Sequence, residues 1–542
     1  MSDTAPGAPS IVLCTLNAKY IHASLGLRCL LANMGDLKAQ TVLREFTIGR
    51  RPQEAVEELL ALLAKPNPNT AQAGAVQIVG FGVYIWNVTQ TTEVVRLLKA
   101  ARPEVKVVLG GPEVSHELDH QAIVQLADFV ITGWGDVSFA KLCRALLHGP
   151  QPLLKVIAGE QPPLDQIVLP YAEYSDADLA HRLLYVEASR GCPFKCEFCL
   201  SSLDKTAWAF DLDSFLAAMQ VLHQRGARNF KFVDRTFNLK IDASVRILQF
   251  FLDRLPAPGM GQSSDELLLH FEVVPDHLPD RLKAMISQFP PGVLQLEIGI
   301  QTFNLAAQLR ISRQQDNDKT ETNLRWLVRE SQAHLHTDLI FGLPGETLAS
   351  FATGFDRLFS LGPNEIQLGI LKRLRGTSIA RHSVEYSMVY DPNPPYSVQQ
   401  TGVVDAATVQ RFTRFSRYWD LVANSGRFKQ TLKLLLGQDD ALSPFYAFIS
   451  FADWLWQGTG KTSDLSPEML VNALFEYLCD SRGLPAQTVQ QTLLTDYLAS
   501  GARASPRALK GLLPKQFAPK IRVTKALAQR QKRHGLPDEA LR

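Results

Sequence analysis

The feature that most limits what this chain can fold into is the alternation, over its first 150 residues, of short apolar runs with amphipathic stretches. The runs SIVLCT (10–15), TVLREF (41–46), VQIVGF (76–81), VKVVLG (105–110) and DFVITG (128–133) are strand-length and rich in β-branched residues. Between them, segments such as PQEAVEELLALLA and TQTTEVVRLLKAAR place their apolar residues at helical spacing. Such alternation is satisfied by a doubly wound parallel sheet with helices on both faces and a ligand site at the carboxyl ends of the strands.

A single core stops growing near roughly 250–300 residues, so 542 residues require more than one domain. The first is expected over residues 8–150, and the Pro-rich stretch GEQPPLDQIVLPYAEY marks a linker over 151–180. Alternation then resumes with LLYVEAS (183–189), NFKFVD (229–234), LLLHFEVV (267–274), LQLEIGI (294–300), HTDLIF (336–341) and EIQLGI (365–370). The intervals leave room for a right-handed helical crossover each time, which predicts a six-stranded parallel sheet or partial barrel over 181–380. Six units fall short of the eight that close a full barrel. From 381 to 542 helical patterns dominate, ending in a basic tail.

The second set of strands carries Glu187, Asp234, Glu272, Glu297, Asp338 and Gln367 inside or at the ends of apolar runs. An unpaired buried charge costs several kcal/mol or neutralises itself, so repeated acids predict an interior wet enough to hold a ligand. Three of the seven cysteines, Cys192, Cys196 and Cys199, fall within eight residues in ASRGCPFKCEFC, straight after the first of these strands. A closed structural zinc site takes four ligands, and no fourth cysteine lies nearby. A three-cysteine iron–sulfur cluster instead keeps one iron open; zinc and a redox thiol loop are the alternatives. Cys14, Cys29, Cys143 and Cys479 sit singly among apolar neighbours and read as packing residues.

The C-x3-C-x2-C spacing, with Phe198 before the last cysteine, resembles the radical S-adenosylmethionine (SAM) superfamily, whose hallmark loop follows the first strand of a (β/α)6 partial barrel. FVDRTFN (232–238), LEIGIQTFN (296–304), TDLIFGLPGET (337–347) and LKRLRGT (371–377) follow in family-like order. The resemblance implies that Cys192, Cys196 and Cys199 hold a [4Fe–4S] cluster that cleaves SAM to a 5′-deoxyadenosyl radical. It assigns SAM contacts to Phe198, Asp234, Glu272, Glu297, Gln301 and Gly342. Asp234 stands where the family has an acid after two glycines, a departure from its usual motif. Arg190, Lys195 and Arg235 are cations able to tune a cluster or grip a carboxylate.

A flavodoxin-like domain ahead of such a barrel resembles the cobalamin-binding subgroup. The resemblance places a corrin against Gly82, Tyr84, Trp86, Gly110, Gly111, Gly133 and Gly135, where glycines let backbone approach a flat ligand. The Asp-x-His-x-x-Gly cobalt-ligand motif is absent, since the loop reads NAKYIHASLG with His22 out of register. The implied reaction is methyl transfer to an unactivated centre; a cobalamin-dependent rearrangement or cyclisation, or tRNA modification, are the alternatives. The expected partners are a small-molecule or peptide substrate and an electron donor such as flavodoxin or ferredoxin. Residues 501–542 hold a local charge of +9 against −7 for the rest, a secondary route to nucleic acid. Hydrophobic residues at 46% and charged at 20%, with no apolar run near the roughly 18 residues of a membrane span, predict a cytoplasmic protein without membrane contact.

Overall fold

The computed structural model describes residues 9–63, 76–204, 206–255, 267–437, 443–502, 504–514, 530 and 533–534. The chain divides into two compact units. The first comprises Met1–Arg235, Lys372–Ala380 and Asp391–Tyr396, and the second Thr236–Leu371, Arg381–Tyr390 and Ser397–Arg542.

In the first unit, β1 (Ile11–Asn17), β2 (Thr41–Thr47), β3 (Ile78–Gly82), β4 (Lys106–Gly110), β5 (Phe129–Thr132) and β6 (Val156–Ala158) form one sheet in the order 2-1-3-4-5-6. All its pairings are parallel. The five expected strands are present; β6 lies in the stretch read as linker, where three residues are too few to show a period. Winding reverses between β1 and β3, the switch point at which open α/β sheets bind ligands. Alternate residues of β1 feed opposite cores. Val12 and Cys14 pack with α2 (Pro52–Leu62), α3 (Val88–Ala101) and α4 (Ala122–Leu126), after α1 (Leu25–Ala32) in the chain. Ile11 and Leu13 pack with α1 and α5 (Ser138–His148).

The same unit continues through α6 (Asp176–His181) to β7 (Leu184–Val186), which pairs in parallel with β10 (Asn229–Phe232) beyond α7 (Leu212–Gln224). Between them, β8 (Ser189–Arg190) and β9 (Trp208–Ala209) form an antiparallel ribbon around the cysteine loop. Strands of two residues show no period, so this ribbon has no signature in the sequence.

In the second unit, β11 (Leu268–Val273), β12 (Leu294–Gln301), β13 (His334–Phe341) and β14 (Glu365–Ile370) pair in parallel in chain order. The intervening helices are α9 (Asp280–Ile286), α10 (Leu305–Arg310), α11 (Asn317–Glu330) and α12 (Leu348–Ser360), with α8 (Ile241–Leu252) ahead of β11. All six strands expected after residue 180 thus exist. The helical carboxyl region supplies α13 (Ala406–Val422), α14 (Lys429–Leu436), α15 (Pro444–Thr459), α16 (Pro467–Glu476) and α17 (Ala486–Ala499). It shares a core with the strands: Phe412 of α13 stacks on Phe341 of β13 at 4.0 Å, and Phe355 of α12 meets Trp419 edge-on at 4.9 Å. Aromatic surface of this size is the main reason the region folds onto the sheet.

Among the described residues no helix is long and apolar enough to cross a membrane. Most of the basic tail lies outside the described residues.

Candidate functional site

The carboxyl ends of β3, β4 and β5 open onto a cavity of about 350 Å³. Gly82, Tyr84, Gly110, Gly111, Gly133 and Gly135 line it, six of the seven residues assigned there from the sequence. Trp86 is the other; it is 45% exposed and stacks on Tyr84 at 4.4 Å, outside the lining. The glycines do two different jobs. Gly111 has φ of +112°, and a Cβ there would meet the Val83 carbonyl oxygen at 2.4 Å, so it serves the chain. Gly133, at φ of +70°, also serves the space: a Cβ would meet nothing within 4 Å and would stand in the cavity. His22 is engaged elsewhere, with Nδ1 2.7 Å from the Tyr185 hydroxyl.

Several lining residues were not assigned to the cavity from the sequence: the start of α1, Phe139, Asp136, Glu187 and Arg190. Helical and charged residues give no glycine signal, and only the fold brings them together. Arg190 stands out. Its side chain is 17% exposed, hydrogen-bonds Asp136 at 2.9 Å, pairs with Glu187, and lies over the Trp134 ring at 4.7 Å and the Phe210 ring at 5.6 Å. Burial alone would discharge a guanidinium, but the two carboxylates hold its pKa above the usual value.

The cysteine loop springs from the same place. Gly191 has φ of +92°, and a Cβ there would lie 1.9 Å from the Thr206 carbonyl oxygen, so only glycine closes the ribbon. Backbone bonds from Cys192 N–H to Asp204 (3.3 Å) and from Cys199 N–H to Cys196 (3.1 Å) curl the loop. Cys192 is buried, Cys196, Phe198 and Cys199 are half-buried, and all seven cysteines are outside disulfides. Among the described residues no three His, Cys, Asp or Glu side chains converge on a single-ion position.

Asp234 is buried after β10 and accepts hydrogen bonds from the Ala188 N–H at 3.0 Å and the Ser189 hydroxyl at 2.5 Å. It therefore braces the strand that leads into the loop. Burial pushes its carboxyl up to about 7.

In the second unit the strand register sets the polar residues in rows. Glu272 pairs with Glu297, Glu297 with His336, and His336 with Glu365; one step on, Gly299 pairs with Asp338 and Asp338 with Gln367. In-register residues of parallel strands share a face. Glu297 Oε2 lies 2.8 Å from His270 Nε2, and His334 meets Glu365 at 2.9 Å. Gln301 ends β12 beside a bulge with φ of +68°, a left-handed conformation that a non-glycine residue adopts only when its surroundings impose it. Gly342 follows β13 directly.

Comparison with known proteins finds matches to three regions of the chain. The family model for the B12 binding domain matches residues 12–143, that for the radical SAM superfamily 186–358, and a protein of unknown function (DUF4080) 384–537. An uncharacterized methyltransferase of Pyrococcus horikoshii is 32% identical over 30% of this chain and 40% of its own length. The cobalamin-dependent radical SAM methyltransferase TokK of Streptomyces tokunonensis is 23% identical over 54% of this chain and 47% of its own. The chain thus spans less than half the length of these curated relatives. Among solved structures, the radical SAM methyltransferase TsrM from Kitasatospora setae, with cobalamin and a [4Fe–4S] cluster bound, superposes with a TM-score of 0.52 at 16% identity, covering 70% of this chain and 78% of that one. The chain thus carries a region of the radical SAM superfamily behind a B12 binding domain.

Proposed function

We propose that the chain is a cobalamin-dependent radical SAM methyltransferase. One observation carries the reading: Glu187 and Arg190, at the root of the cysteine loop, line the same cavity as the glycine-rich ends of β3, β4 and β5. A carbon-centred radical and a methyl donor must be generated close together, and this arrangement supports two cofactor sites within reach of each other.

Cys192, Cys196 and Cys199 would hold a [4Fe–4S] cluster, with Phe198 beside them. Asp234, Glu272, Glu297, Gln301 and Gly342 would serve SAM. Gly82, Gly110, Gly111, Gly133 and Gly135, with Tyr84, would cradle cobalamin; the open space at Gly133, and at Gly110 where a Cβ would come no nearer than 3.8 Å to any neighbour, fits a flat ligand lying on backbone. When bound, the cluster with SAM supplies radical chemistry and the corrin supplies methyl transfer, chemistry no side chain performs. The chain's own residues do the rest. The ribbon β8–β9 and Gly191 fix where the three thiols point, and Asp234 holds the strand before them. The walls of the cavity, mostly apolar, keep water from reactive species. The substrate would be a small molecule or peptide, and the electron donor a flavodoxin- or ferredoxin-like protein.

The test is anaerobic reconstitution with iron, sulfide and hydroxocobalamin, followed by incubation with methyl-labelled SAM. Retained corrinoid, iron–sulfur absorption, 5′-deoxyadenosine and label on the corrinoid are expected together. SAM cleavage by protein that retains no corrinoid would remove cobalamin from the reading.

A further inference from the structure

Asp136 lies just past the glycine-rich end of β5 and is 5% exposed. Its Oδ2 accepts from Arg190 at 2.9 Å, whereas its Oδ1 is buried in the cavity wall with no hydrogen-bond partner. A buried carboxylate oxygen left without a donor is costly, which makes it a position for a donor that a ligand brings. The other end of the pair is fixed equally firmly. Arg190 is the second residue of β8, two before Cys192, and is held by Glu187, by the Trp134 ring beside Asp136, and by Phe210, which follows β9. One guanidinium thus ties the cavity wall to both strands of the ribbon from which the cysteine loop springs.

We infer that Asp136 and Arg190 are positioning residues that couple the two cofactor sites: Asp136 Oδ1 accepts an amide N–H from the carboxamide rim of a corrinoid, and Arg190 carries that constraint to the cysteine loop. The inference rests on the proposed function and adds what it does not contain, a linkage between corrinoid binding and cluster assembly. Before the corrinoid binds, Asp136 is held through Oδ2 alone. Once Oδ1 is satisfied, the carboxylate is pinned, and with it the guanidinium and the ribbon. Linkage of this kind is reciprocal, so a cluster that orders the loop must tighten corrinoid binding by the same factor.

The experiment is anaerobic titration of the full chain with hydroxocobalamin, before and after reconstitution of the iron–sulfur cluster, read by bound corrinoid absorption rather than turnover. Wild type is expected to bind the corrinoid roughly 5- to 150-fold more tightly with the cluster present, the usual range of site-to-site coupling. Arg190→Lys keeps the charge and loses the fork, and is expected to bind each cofactor while the factor falls towards one. Asp136→Ala is expected to lose corrinoid affinity at least tenfold as well. Should Asp136→Ala fail to fold, Asp136→Asn, of the same size, is expected to reduce the factor through its weakened bond to Arg190. Dicyanocobinamide, which keeps the rim amides and lacks the nucleotide tail, is expected to show the same linkage as hydroxocobalamin. A wild-type factor of one, an unchanged factor in Arg190→Lys, or linkage lost with cobinamide would each overturn the inference while leaving the proposed function standing. No corrinoid bound in either state would instead overturn the cobalamin part of that function.

Discussion

The two parallel sheets of this protein solve the same backbone problem with opposite side-chain logic. Every residue of β1 is buried, and cores pack on both faces of the first sheet, so a ligand finds room only where the strands end in glycine. In the second unit, β11 to β13 bury Leu269, Phe271, Leu296, Ile298, Leu335 and Leu339 on one face. The other face carries the rows of Glu272, Glu297, His336 and Glu365. The first sheet offers an edge and the second offers a face. Backbone topology alone does not fix where a parallel sheet has room for a ligand; that depends on which strand positions are polar.

The sharpest way to break this contrast is to remove the thiols. Cys192→Ala, Cys196→Ala and Cys199→Ala are each expected to abolish iron–sulfur absorption after reconstitution and to leave corrinoid bound at reduced affinity. Full iron content in any one of them would detach the loop from the metal chemistry. Next in size is the polar face. Burial pushes the Glu365 carboxyl up, but the His334 hydrogen bond and the Arg530 guanidinium, 2.8 Å away, outweigh it and hold the pKa below the usual carboxylate value. Glu365→Ala leaves the buried His334 without its carboxylate and Arg530 with Asp420 alone, and is expected to cost about 3 kcal/mol in urea unfolding, the lower end for a broken buried pair. A cost under about 1 kcal/mol would mean that the row contributes little to the fold.

The glycine edge predicts a smaller and split response. Gly111→Ala forces a side chain into a left-handed backbone and against the Val83 carbonyl, and is expected to cost about 3 kcal/mol. Gly133→Ala meets no neighbour and is expected to cost about 1 kcal/mol, for the backbone alone. The order should reverse for ligand retention: Gly133→Ala puts its methyl into the cavity and should weaken corrinoid binding more per unit of stability lost. Equal losses of binding in the two variants would show that the cavity floor does not touch the ligand.

Much of this was legible in the sequence because it is periodic or local. The strands of both sheets announce themselves as apolar runs, and the loop at Cys192, Cys196 and Cys199 is contiguous. The glycines of the cavity could be assigned because each ends a strand. What could not be read is what the fold brings together across distance or states in two or three residues. β6 and the ribbon β8–β9 are too short for a period. Asp136 and Arg190 stand 54 residues apart, and nothing local marks either as the other's partner. Trp86 illustrates the converse, since a residue near the right glycine can still point out of the cavity. The register that lines Glu297 up with His336 is likewise a property of strand pairing, invisible within either strand.

The smallest effect tests whether buried acids behave alike in both units. Glu346 is buried; its Oε1 accepts from the Thr302 hydroxyl at 2.7 Å, and its Oε2 has no partner. Burial pushes its carboxyl up to about 7 from an ordinary value of 4.5. Because the folded pKa is the higher one, the group's contribution to stability is complete below pH 4.5 and is lost as pH rises through about 7. Asp234 in the first unit, also pushed up to about 7, contributes with the same sign, while His22, His336 and His534, lowered from 6.5 by burial, contribute with the opposite sign below that pH. Glu346→Gln holds the neutral form at every pH. It should cost less than about 1 kcal/mol at pH 5, gain about 1–2 kcal/mol over wild type at pH 8, and remove this one acid's part of the pH dependence. Urea unfolding at each pH reads all three quantities. A slope identical to wild type would mean that Glu346 is ionised in the folded chain, paired on the polar side of β12 and β13 rather than neutral behind it.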